Sequence, residues 1–495
     1  MTALAMPTAT QKAALGTNPD ESAARASNAD QHGWRRGFEN LSREHGFVPL
    51  RVEGALPPEL RGTFYRNGRG AFDVAGERYR HWFDGDGAVT AVRLDGSGAA
   101  FGATRLGETP WRERERRAGR RLFGGYDTPM ARPIRELFFG DVKNPANTSV
   151  MIHDGRLYAL CEGGKPFEIS RDDLSTIGES NLDGVVTRAF SAHPHRVPSR
   201  RATFGFGLGM GKDTSVTCYA LKDGERARRL ASFSLAGARM NHDFAVTDRH
   251  LVFFFAPLEM SIWSALFKKG LVSSAKWRAE EGTEIVVVPI DAPENIIRFT
   301  VPAFYMEHVV NAFELPGGAI AIDYIHYDHV RDLEDFVGGI ADGAPKRGLA
   351  STIRRAIVSP SAKRFQLEAV LDEPVELPRV SPRFETARHR FTYAVSFGET
   401  MKPPTAILKH DLDSGRVERW TPGAEQHPSE AIFVPKADAK SEDDGWLLSL
   451  VLDGASGTSS LQVLDASRID TGAIARCHFD QAIPFGFHGI WDPAR

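Results

Sequence analysis

Short runs of alternating apolar residues, each broken by a tight polar turn, recur along most of this chain and limit what it can fold into. Such strand–turn–strand units lie at residues 81–93, 148–160, 244–255 and 312–323, and further strands are expected at 389–395, 406–411 and 445–452. The turns are of the Asp-Gly and Pro-Gly-Gly kind, which is a hairpin signature. Helical periodicity is scarce. The pattern predicts an all-β chain, and radial repetition of antiparallel sheets in a β-propeller fits it better than a sandwich does.

Two segments depart from the β pattern. Residues 111–122 are rich in arginine and glutamate and predict a solvated helix or loop. Residues 258–272 are amphipathic: Met260, Trp263, Leu266 and Phe267 would share one helical face. A helix packed on the propeller is the simpler interpretation of this segment. The alternative is a face that touches a membrane or guards the mouth of an apolar tunnel.

The chain of 495 residues is 42% hydrophobic and 25% charged, which allows a large buried core. Its net charge of −3 argues against a nucleic-acid-binding protein. Three scattered cysteines predict neither a disulfide framework nor a zinc site and favour a cytoplasmic location. Residues 1–33 are expected to be a disordered leader and residues 34–495 a single domain. No stretch is apolar enough to span a membrane.

Four of the 16 histidines lie in apolar or tightly turned contexts: His193, His242, His308 and His488. Their wide separation excludes two ligands on one helix and suits one ligand from each of several blades, meeting at a propeller axis. Each could also be a structural histidine in a turn or in the core. His488 lies in an apolar segment at residues 483–491, close to the chain end, and this last strand is expected to close the ring by pairing with an early blade.

Eight short motifs carry a resemblance to a known family; they are Arg66-Asn67-Gly68, residues 83–87, Ala146-Asn147-Thr148, Ala192-His193-Pro194, His242-Asp243-Phe244, residues 308–314, residues 376–379 and residues 486–489. In this order they resemble the carotenoid cleavage oxygenases, which include lignostilbene dioxygenases and retinoid isomerases. The resemblance covers almost the whole folded chain. It implies a seven-bladed β-propeller with a cap of loops and helices over the metal-site face.

By the same resemblance His193, His242, His308 and His488 are the ligands of one iron(II) per chain. Glu162, Glu376 and Glu430 would bind the outer nitrogens of His242, His308 and His488 respectively, an arrangement that fixes the tautomer of a ligating imidazole. Thr148 matches the residue whose methyl group shields one open coordination position. Four neutral nitrogen ligands leave up to two positions for O2 and solvent. No separate catalytic acid or base is implied.

Four positions that bear on the substrate cavity either depart from the family's common pattern or match one of its subgroups: Cys161, Glu307, Leu106 and Lys143. Cys161 replaces a tryptophan and Glu307 a phenylalanine. Glu307 either faces the cavity, where a charge is costly unless it is paired, or turns outward to a lysine or arginine, which we expect. Leu106 stands at the position where lignostilbene-type members of the family carry a tyrosine that binds the phenol group of the substrate. Lys143 matches the phenol-binding lysine of the stilbenoid subgroup, but we expect a solvated loop residue.

The resemblance implies a dioxygenase that cleaves a double bond of a carotenoid or apocarotenoid, an apolar small-molecule substrate, into two carbonyl products. A stilbenoid- or phenylpropenoid-cleaving enzyme is the alternative within the same chemistry, and the absence of a tyrosine at Leu106 tells against it. An isomerohydrolase and a propeller that binds a ligand without turnover are weaker alternatives, the latter because all four histidines are intact. The number of subunits and the cleaved bond stay open.

Overall fold

The computed structural model of the protein describes residues 33–129, 143–261, 270, 272–398 and 401–494. The leader predicted at residues 1–33 therefore lies outside the described residues, except for Gly33. That residue begins a short 3-10 helix, Gly33–Phe38, so the fold includes one residue that the sequence assigned to the leader. The single domain at residues 34–495 stays a prediction.

The first part of the chain forms six strands. They are β1 (His45–Gly54), β2 (Gly62–Ala71), β3 (Asp73–Val74), β4 (Glu77–Arg78), β5 (Asp86–Leu94) and β6 (Ala100–Leu106). Strands β3 and β4 make a small hairpin of their own, whereas the other four join a larger sheet.

Five four-stranded antiparallel sheets follow in chain order. The first contains β7 (Ser149–His153), β8 (Arg156–Leu160), β9 (Phe167–Ile169) and β10 (Thr176–Glu179). The second contains β11 (His195–Val197), β12 (Ala202–Gly209), β13 (Thr214–Lys222) and β14 (Arg228–Leu235). The third contains β15 (Ala245–Val246), β16 (His250–Phe255), β19 (Thr283–Pro289) and β20 (Ile297–Val301), and the hairpin β17 (Leu258–Glu259) and β18 (Lys276–Trp277) lies between its strands in sequence.

The fourth and fifth sheets have the same simple up-and-down order. The fourth contains β21 (Tyr305–Glu314), β22 (Ile320–Tyr327), β23 (Thr352–Ser359) and β24 (Arg364–Leu371). The fifth contains β25 (Val375–Arg379), β26 (Phe391–Ser396), β27 (Ala406–Asp411) and β28 (Val417–Trp420). The chain then ends with β29 (Gln426–His427), β30 (Ile432–Pro435), β31 (Gly445–Asp453), β32 (Thr458–Asp465), β33 (Ala473–His478) and β34 (Gly486–Pro493).

The prediction of seven blades is corrected by the way the two chain ends pair. Five four-stranded sheets are discrete, but the remaining large sheet is a single one of ten strands. It is continuous because β1 pairs with β6 along one edge and with β33 along the other, so that the first strand of the chain joins the strands near its end. The molecule is thus an all-β, propeller-like ring of five discrete blades and one ten-stranded sheet.

The last strand closes this ring, as predicted. Strand β34 pairs antiparallel with β2, with Tyr65 opposite Ile490 and Arg66 opposite Gly489. The leading strands of neighbouring sheets lie side by side: β11 beside β15, β15 beside β21, β21 beside β25, and β7 and β30 on either side of β34. These strands surround the centre of the molecule.

Apolar side chains on alternating strand positions form the core between adjacent sheets. Phe244 and Phe253 of the third sheet, for example, stack on each other 5.1 Å apart and pack on Phe206 of the second. Because each sheet buries both faces against its neighbours, the central strands read as continuous apolar runs. The predicted strands at residues 406–411 and 445–452 coincide with β27 and β31, which confirms the period-2 interpretation there.

Helices are few among the described residues. Helix α1 (Pro110–Ala118) confirms the solvated helix or loop predicted at residues 111–122. It begins after the cap residue Thr109, whose hydroxyl accepts a hydrogen bond from the amide of Arg112. It ends at Gly119, which has the left-handed backbone conformation. Helix α2 (Val330–Ile340) begins with a capping box between His329 and Asp332. Five more short 3-10 helices lie at Pro198–Arg200, Val272–Ser274, Ala279–Glu281, Pro316–Gly318 and Ile469–Thr471.

Candidate metal centre and substrate cavity

The four predicted histidines come together at the centre of the ring, each from a different sheet. His308 lies in β21 and His488 in β34, whereas His193 and His242 lie just before β11 and β15. All four strands belong to the set that surrounds the centre of the molecule. Histidines that are far apart in sequence therefore meet at one point.

The imidazoles face one another through ring nitrogens. Nε2 of His242 lies 2.8 Å from Nε2 of His193 and 3.3 Å from Nε2 of His308. One nitrogen from each of the four rings lies within 4.8 Å of the others. Four nitrogen donors at these separations can surround a single metal ion at the bond lengths that imidazole ligands make.

Three carboxylates hold the outward-facing nitrogens, as predicted from the family resemblance. The Nδ1 atoms of His242, His308 and His488 lie 2.9, 2.5 and 2.8 Å from carboxylate oxygens. The partners are Glu162, Glu376 and Glu430 in that order. A proton held at Nδ1 by a carboxylate leaves the lone pair at Nε2, so these three tautomers suit metal binding.

These carboxylates are themselves anchored by residues to which the sequence analysis assigned no role. Tyr327 donates its hydroxyl to Glu376 at 2.6 Å. Arg379 donates to Glu430 at 2.9 Å and also to the carbonyl oxygen of Gly489 at 3.1 Å. Arg379 belongs to one of the eight motifs and was therefore visible in the sequence. Tyr327 ends a buried strand and carried no signal that could have distinguished it from a core tyrosine.

The charge balance of the centre favours a cation. Burial and the neighbouring imidazoles hold the pKa of His193 well below its ordinary value, and burial lowers that of His488 to about 4. Burial alone would raise the pKa of Glu430, but Arg379 and His488 lower it to about 2.

Burial alone would lower the pKa of both His242 and His308. The carboxylates of Glu307 and Glu162 instead raise the pKa of His242 to about 10. Glu376 likewise raises the pKa of His308. Imidazoles surrounded by ionised carboxylates are a donor set that a divalent metal fits, and a bound metal takes the place of any proton on the ligating nitrogens.

A cavity of about 390 Å³ opens onto three of the four histidines, His242, His308 and His488. Its wall is largely apolar and aromatic, and the main apolar contributors are Trp82, Phe83, Leu333, Phe336, Val337 and Phe487. Helix α2 supplies three of them, so this helix covers the cavity next to the metal centre. The size and lining are those of a small-molecule site.

Two residues predicted near the open side of the centre do line this cavity. Thr148 directs its hydroxyl to Asn147 at 3.1 Å and to Glu162 at 3.4 Å. Cys161 is partly exposed to the cavity, and burial raises the pKa of its thiol to about 12. The thiol is therefore neutral and adds a small apolar surface to the wall.

The expectation that Glu307 turns outward is wrong. Its side chain is buried, lines the cavity and lies 3.8 Å from Nε2 of His242. The hydroxyl of Tyr305 donates to its Oε2 at 2.5 Å. Glu307 precedes His308 in β21, and a distortion of the pairing between β21 and β22 at residues 306–309 interrupts the strict alternation of faces. That irregularity, which the sequence does not reveal, puts two consecutive side chains beside the cavity.

The expectations for Lys143 and Leu106 are also corrected. Lys143 is buried rather than solvated, and its ammonium group contacts Tyr79 at 2.6 Å, Glu115 at 2.8 Å and Asp86 at 2.9 Å. It lines the cavity, but its ammonium group donates hydrogen bonds to Tyr79 and Glu115 and pairs its charge with Asp86. Leu106 packs into the apolar cluster on the ten-stranded sheet and is not among the residues that line the cavity.

The segment at residues 258–272 is described only in part, and residues 262–269 and 271 lie outside the described residues. Leu258 and Glu259 form a strand whose backbone pairs with β18, so the predicted helix does not begin at Leu258. Trp263, Leu266 and Phe267, which were predicted to share its apolar face, lie outside the described residues. Met260 is buried in the core. In the described part of the chain no helix has the length and apolar character needed to cross a membrane. The membrane contact and the cytoplasmic location stay predictions.

Comparison with known proteins gives a consistent result. A family model described as retinal pigment epithelial membrane protein (RPE65) matches residues 38–493. The apocarotenoid-15,15'-oxygenase of Synechocystis sp. is 30% identical over 491 residues, which cover 96% of this chain and 99% of that protein. An isoeugenol monooxygenase of Pseudomonas nitroreducens is 27% identical over 468 residues, which cover 91% of this chain and 95% of that one.

Solved structures agree with these sequence matches. The crystal structure of a cobalt-substituted Synechocystis apocarotenoid oxygenase superposes with a TM-score of 0.85 at 29% identity, covering 93% of this chain and 98% of that one. Since the family model spans nearly all of the described residues, and the relatives match over almost their full length, this chain belongs to the RPE65 family of carotenoid cleavage oxygenases and is an oxygenase of that type.

Proposed function

We propose that this protein is an iron(II)-dependent dioxygenase that cleaves a C=C double bond of an apocarotenoid or carotenoid. The observation that carries the proposal is the set of four imidazole nitrogens within 4.8 Å of one another at the end of an apolar cavity. His193, His242, His308 and His488 would hold the iron. When bound there, iron(II) would supply the capacity to activate O2, which organic side chains lack.

The overall reaction balances without a proton donor or acceptor from the protein. One alkene and one O2 give two carbonyl compounds: the double bond and the O–O bond break, two C=O bonds form, and each product receives one oxygen atom. The alkene is oxidised and O2 is reduced by the same four electrons. We therefore assign no catalytic acid or base, and the chain's task is to position the alkene and exclude water.

Thr148 is proposed to restrict access to one side of the metal. Its hydroxyl is already engaged by Asn147 and Glu162, so the rotamer is held and the methyl group remains for the cavity side. A methyl group cannot ligate a metal and displaces solvent. This agrees with the shielding role that the family resemblance implies.

Two observations favour a polyene over a phenolic stilbenoid as the substrate. Lys143 donates hydrogen bonds to Tyr79 and Glu115 and forms an ion pair with Asp86, so its charge is already balanced by buried carboxylates without a phenolate from the substrate. Leu106 lies outside the cavity lining.

The test is metal content and product identity. Protein purified without oxygen should contain about one iron per chain and should convert apocarotenals or β-carotene into aldehydes identified by mass spectrometry, with resveratrol and isoeugenol as the competing substrates. His308→Ala should lose iron, because the substitution removes one of the four nitrogen ligands. His326→Ala is the matched control, since His326 is buried but bonded to Tyr324 away from the centre. Protein that holds no iron and gains none on reconstitution would refute the proposal.

A further inference from the structure

Glu307 differs from the other carboxylates that line the cavity: one of its oxygens, Oε1, accepts no hydrogen bond from a described residue and only lies in a charge pair with His242. Four carboxylates line the cavity in the part of the chain that the structure describes: Asp84, Glu162, Glu307 and Glu376. Both oxygens of Asp84 and Glu376 accept hydrogen bonds from backbone amides, hydroxyls or imidazoles. Glu162 accepts from His242 on one oxygen, and its other oxygen shares the Thr148 hydroxyl with Asn147.

Only one oxygen of Glu307 is engaged in this way. Tyr305 occupies Oε2, and Oε1 faces His242 at 3.8 Å, beyond hydrogen-bond distance. No other described residue donates a hydrogen bond to this carboxylate. Oε1 is therefore an acceptor presented to the cavity beside the metal centre, in a wall that is otherwise mainly apolar.

An oxygen of this kind makes the cavity selective for substrates that can donate a hydrogen bond to it. A hydrocarbon substrate that fills the cavity would strip water from Oε1 and return no hydrogen bond, which is unfavourable for a buried carboxylate. A substrate with a suitably placed O–H group would replace the lost water. Sites built to hydrogen-bond a substrate group reject the analogue that lacks the group far more strongly than apolar pockets reject a missing methylene.

We propose that Glu307 is a specificity-determining residue that accepts a hydrogen bond from a hydroxyl group carried by the substrate close to the cleaved double bond. The inference rests on the proposed function and narrows its substrate class to hydroxylated alkenes, such as allylic alcohols. Tyr305 acts as a positioning residue, because its hydroxyl holds Oε2 and thereby aims Oε1 into the cavity.

The experiment compares matched pairs that differ in one hydroxyl group. An apocarotenol is paired with the hydrocarbon that carries a methyl group in place of its CH2OH end, and coniferyl alcohol is paired with isoeugenol. Dissociation constants are measured from quenching of tryptophan fluorescence, since Trp82 lines the cavity. The wild-type protein should bind the alcohol of at least one pair about 10- to 100-fold more tightly than its partner.

The informative variant is Glu307→Leu combined with Tyr305→Phe. Removing both members of the hydrogen-bonded pair avoids leaving a buried hydroxyl unpaired, so the fold should tolerate the change. The preference for the alcohol should fall to a ratio near one. Glu314→Gln is the matched control, because Glu314 pairs with His250 outside the cavity and its loss should leave the preference intact.

Equal binding within both pairs by the wild-type protein would overturn the inference, and so would a preference that survives in the double variant. Because the readout is binding, it is independent of turnover. Equal binding by a protein that contains iron and cleaves an alkene removes the role of Glu307 alone. Absence of iron removes the proposed function together with the inference that rests on it.

Discussion

Three of the four central histidines are each held by a glutamate that is fixed in turn by a further donor. Glu430 shows the construction most fully: one oxygen contacts both His488 and Arg379, and the other accepts from the amide of Gly489 at 2.7 Å. Such outer partners set the direction and basicity of a ligating imidazole. The affinity for the proposed metal would thus depend on these outer side chains as well as on the four histidines.

Glu430→Gln is expected to weaken metal binding about 10- to 100-fold. The amide keeps the size of the side chain but removes the charge that stabilises the proton at Nδ1 of His488 and balances Arg379. Titration with Co2+ under anaerobic conditions measures the change. Glu314→Gln serves as control, because it alters a glutamate–histidine pair of similar length, 2.9 Å, away from the centre. Unchanged affinity in Glu430→Gln would contradict the assigned role.

Lys143→Met should destabilise the fold by about 3–5 kcal/mol. The substitution keeps an unbranched side chain but leaves Asp86 and Glu115 buried without their cation. Urea unfolding followed by fluorescence measures the loss. Lys165→Met, which breaks the partly exposed pair with Glu179, should cost less than about 1 kcal/mol. Equal effects of the two substitutions would show that Lys143 does not compensate the buried charges of Asp86 and Glu115.

Strand β34 has two structural roles. It pairs with β2 and so joins the last residues to an early strand, and it carries His488. The residue before it, Phe485, packs edge-on against Phe38 with ring centroids 5.1 Å apart. Chain ends usually fray, but this one is held by a full strand ladder and by core contacts on both sides.

Deletion of residues 484–495 should therefore remove metal binding and cooperative folding together. The deletion exposes the edge of β2 and takes away one ligand. Calorimetry and metal analysis on the same preparation test the expectation. Deletion of residues 494–495 alone is the control and should leave both properties near those of the full chain. A shortened protein that lacks residues 484–495 yet unfolds at the original temperature would disprove the ring-closing role.

At the scale of the whole molecule, the metal centre links separate sheets. The ligands come from four of them: the sheets that contain β11, β15, β21 and β34. In the unfolded chain these histidines are far apart, so a metal ion would bind the folded ring in strong preference to the unfolded state. Binding at a ligand concentration 100 times the dissociation constant contributes about 2.7 kcal/mol of stability.

Metal loading should accordingly raise the unfolding temperature. Scanning calorimetry with and without excess Co2+ measures the shift, and the expected size is about 1–4 °C for the free-energy gain above in a chain of this length. His488→Ala should abolish the shift, whereas His326→Ala should retain it. A shift of the same size in His488→Ala would mean that the metal stabilises the protein from some other site.

Local pattern in the sequence was sufficient for the strands and for the four histidines. Alternating apolar residues and Asp-Gly turns determine β hairpins by themselves, because the period of two and the turn chemistry are short-range properties. The apolar or turned contexts of His193, His242, His308 and His488 likewise singled them out as candidate ligands, and the family resemblance then implied the partners Glu162, Glu376 and Glu430. The resemblance of eight motifs to one family added the expected chemistry.

Tertiary structure alone decided the blade count and the orientation of the cavity residues. Pairing of β1 with both β6 and β33 depends on contacts between opposite ends of the chain, which no local pattern reveals. Glu307 faces the cavity because the pairing of β21 is irregular at that point. Lys143 is buried because two carboxylates distant in sequence meet it there. The direction of a charged side chain depends on which partners the fold brings within reach, since a buried charge is tolerated only where a partner compensates it.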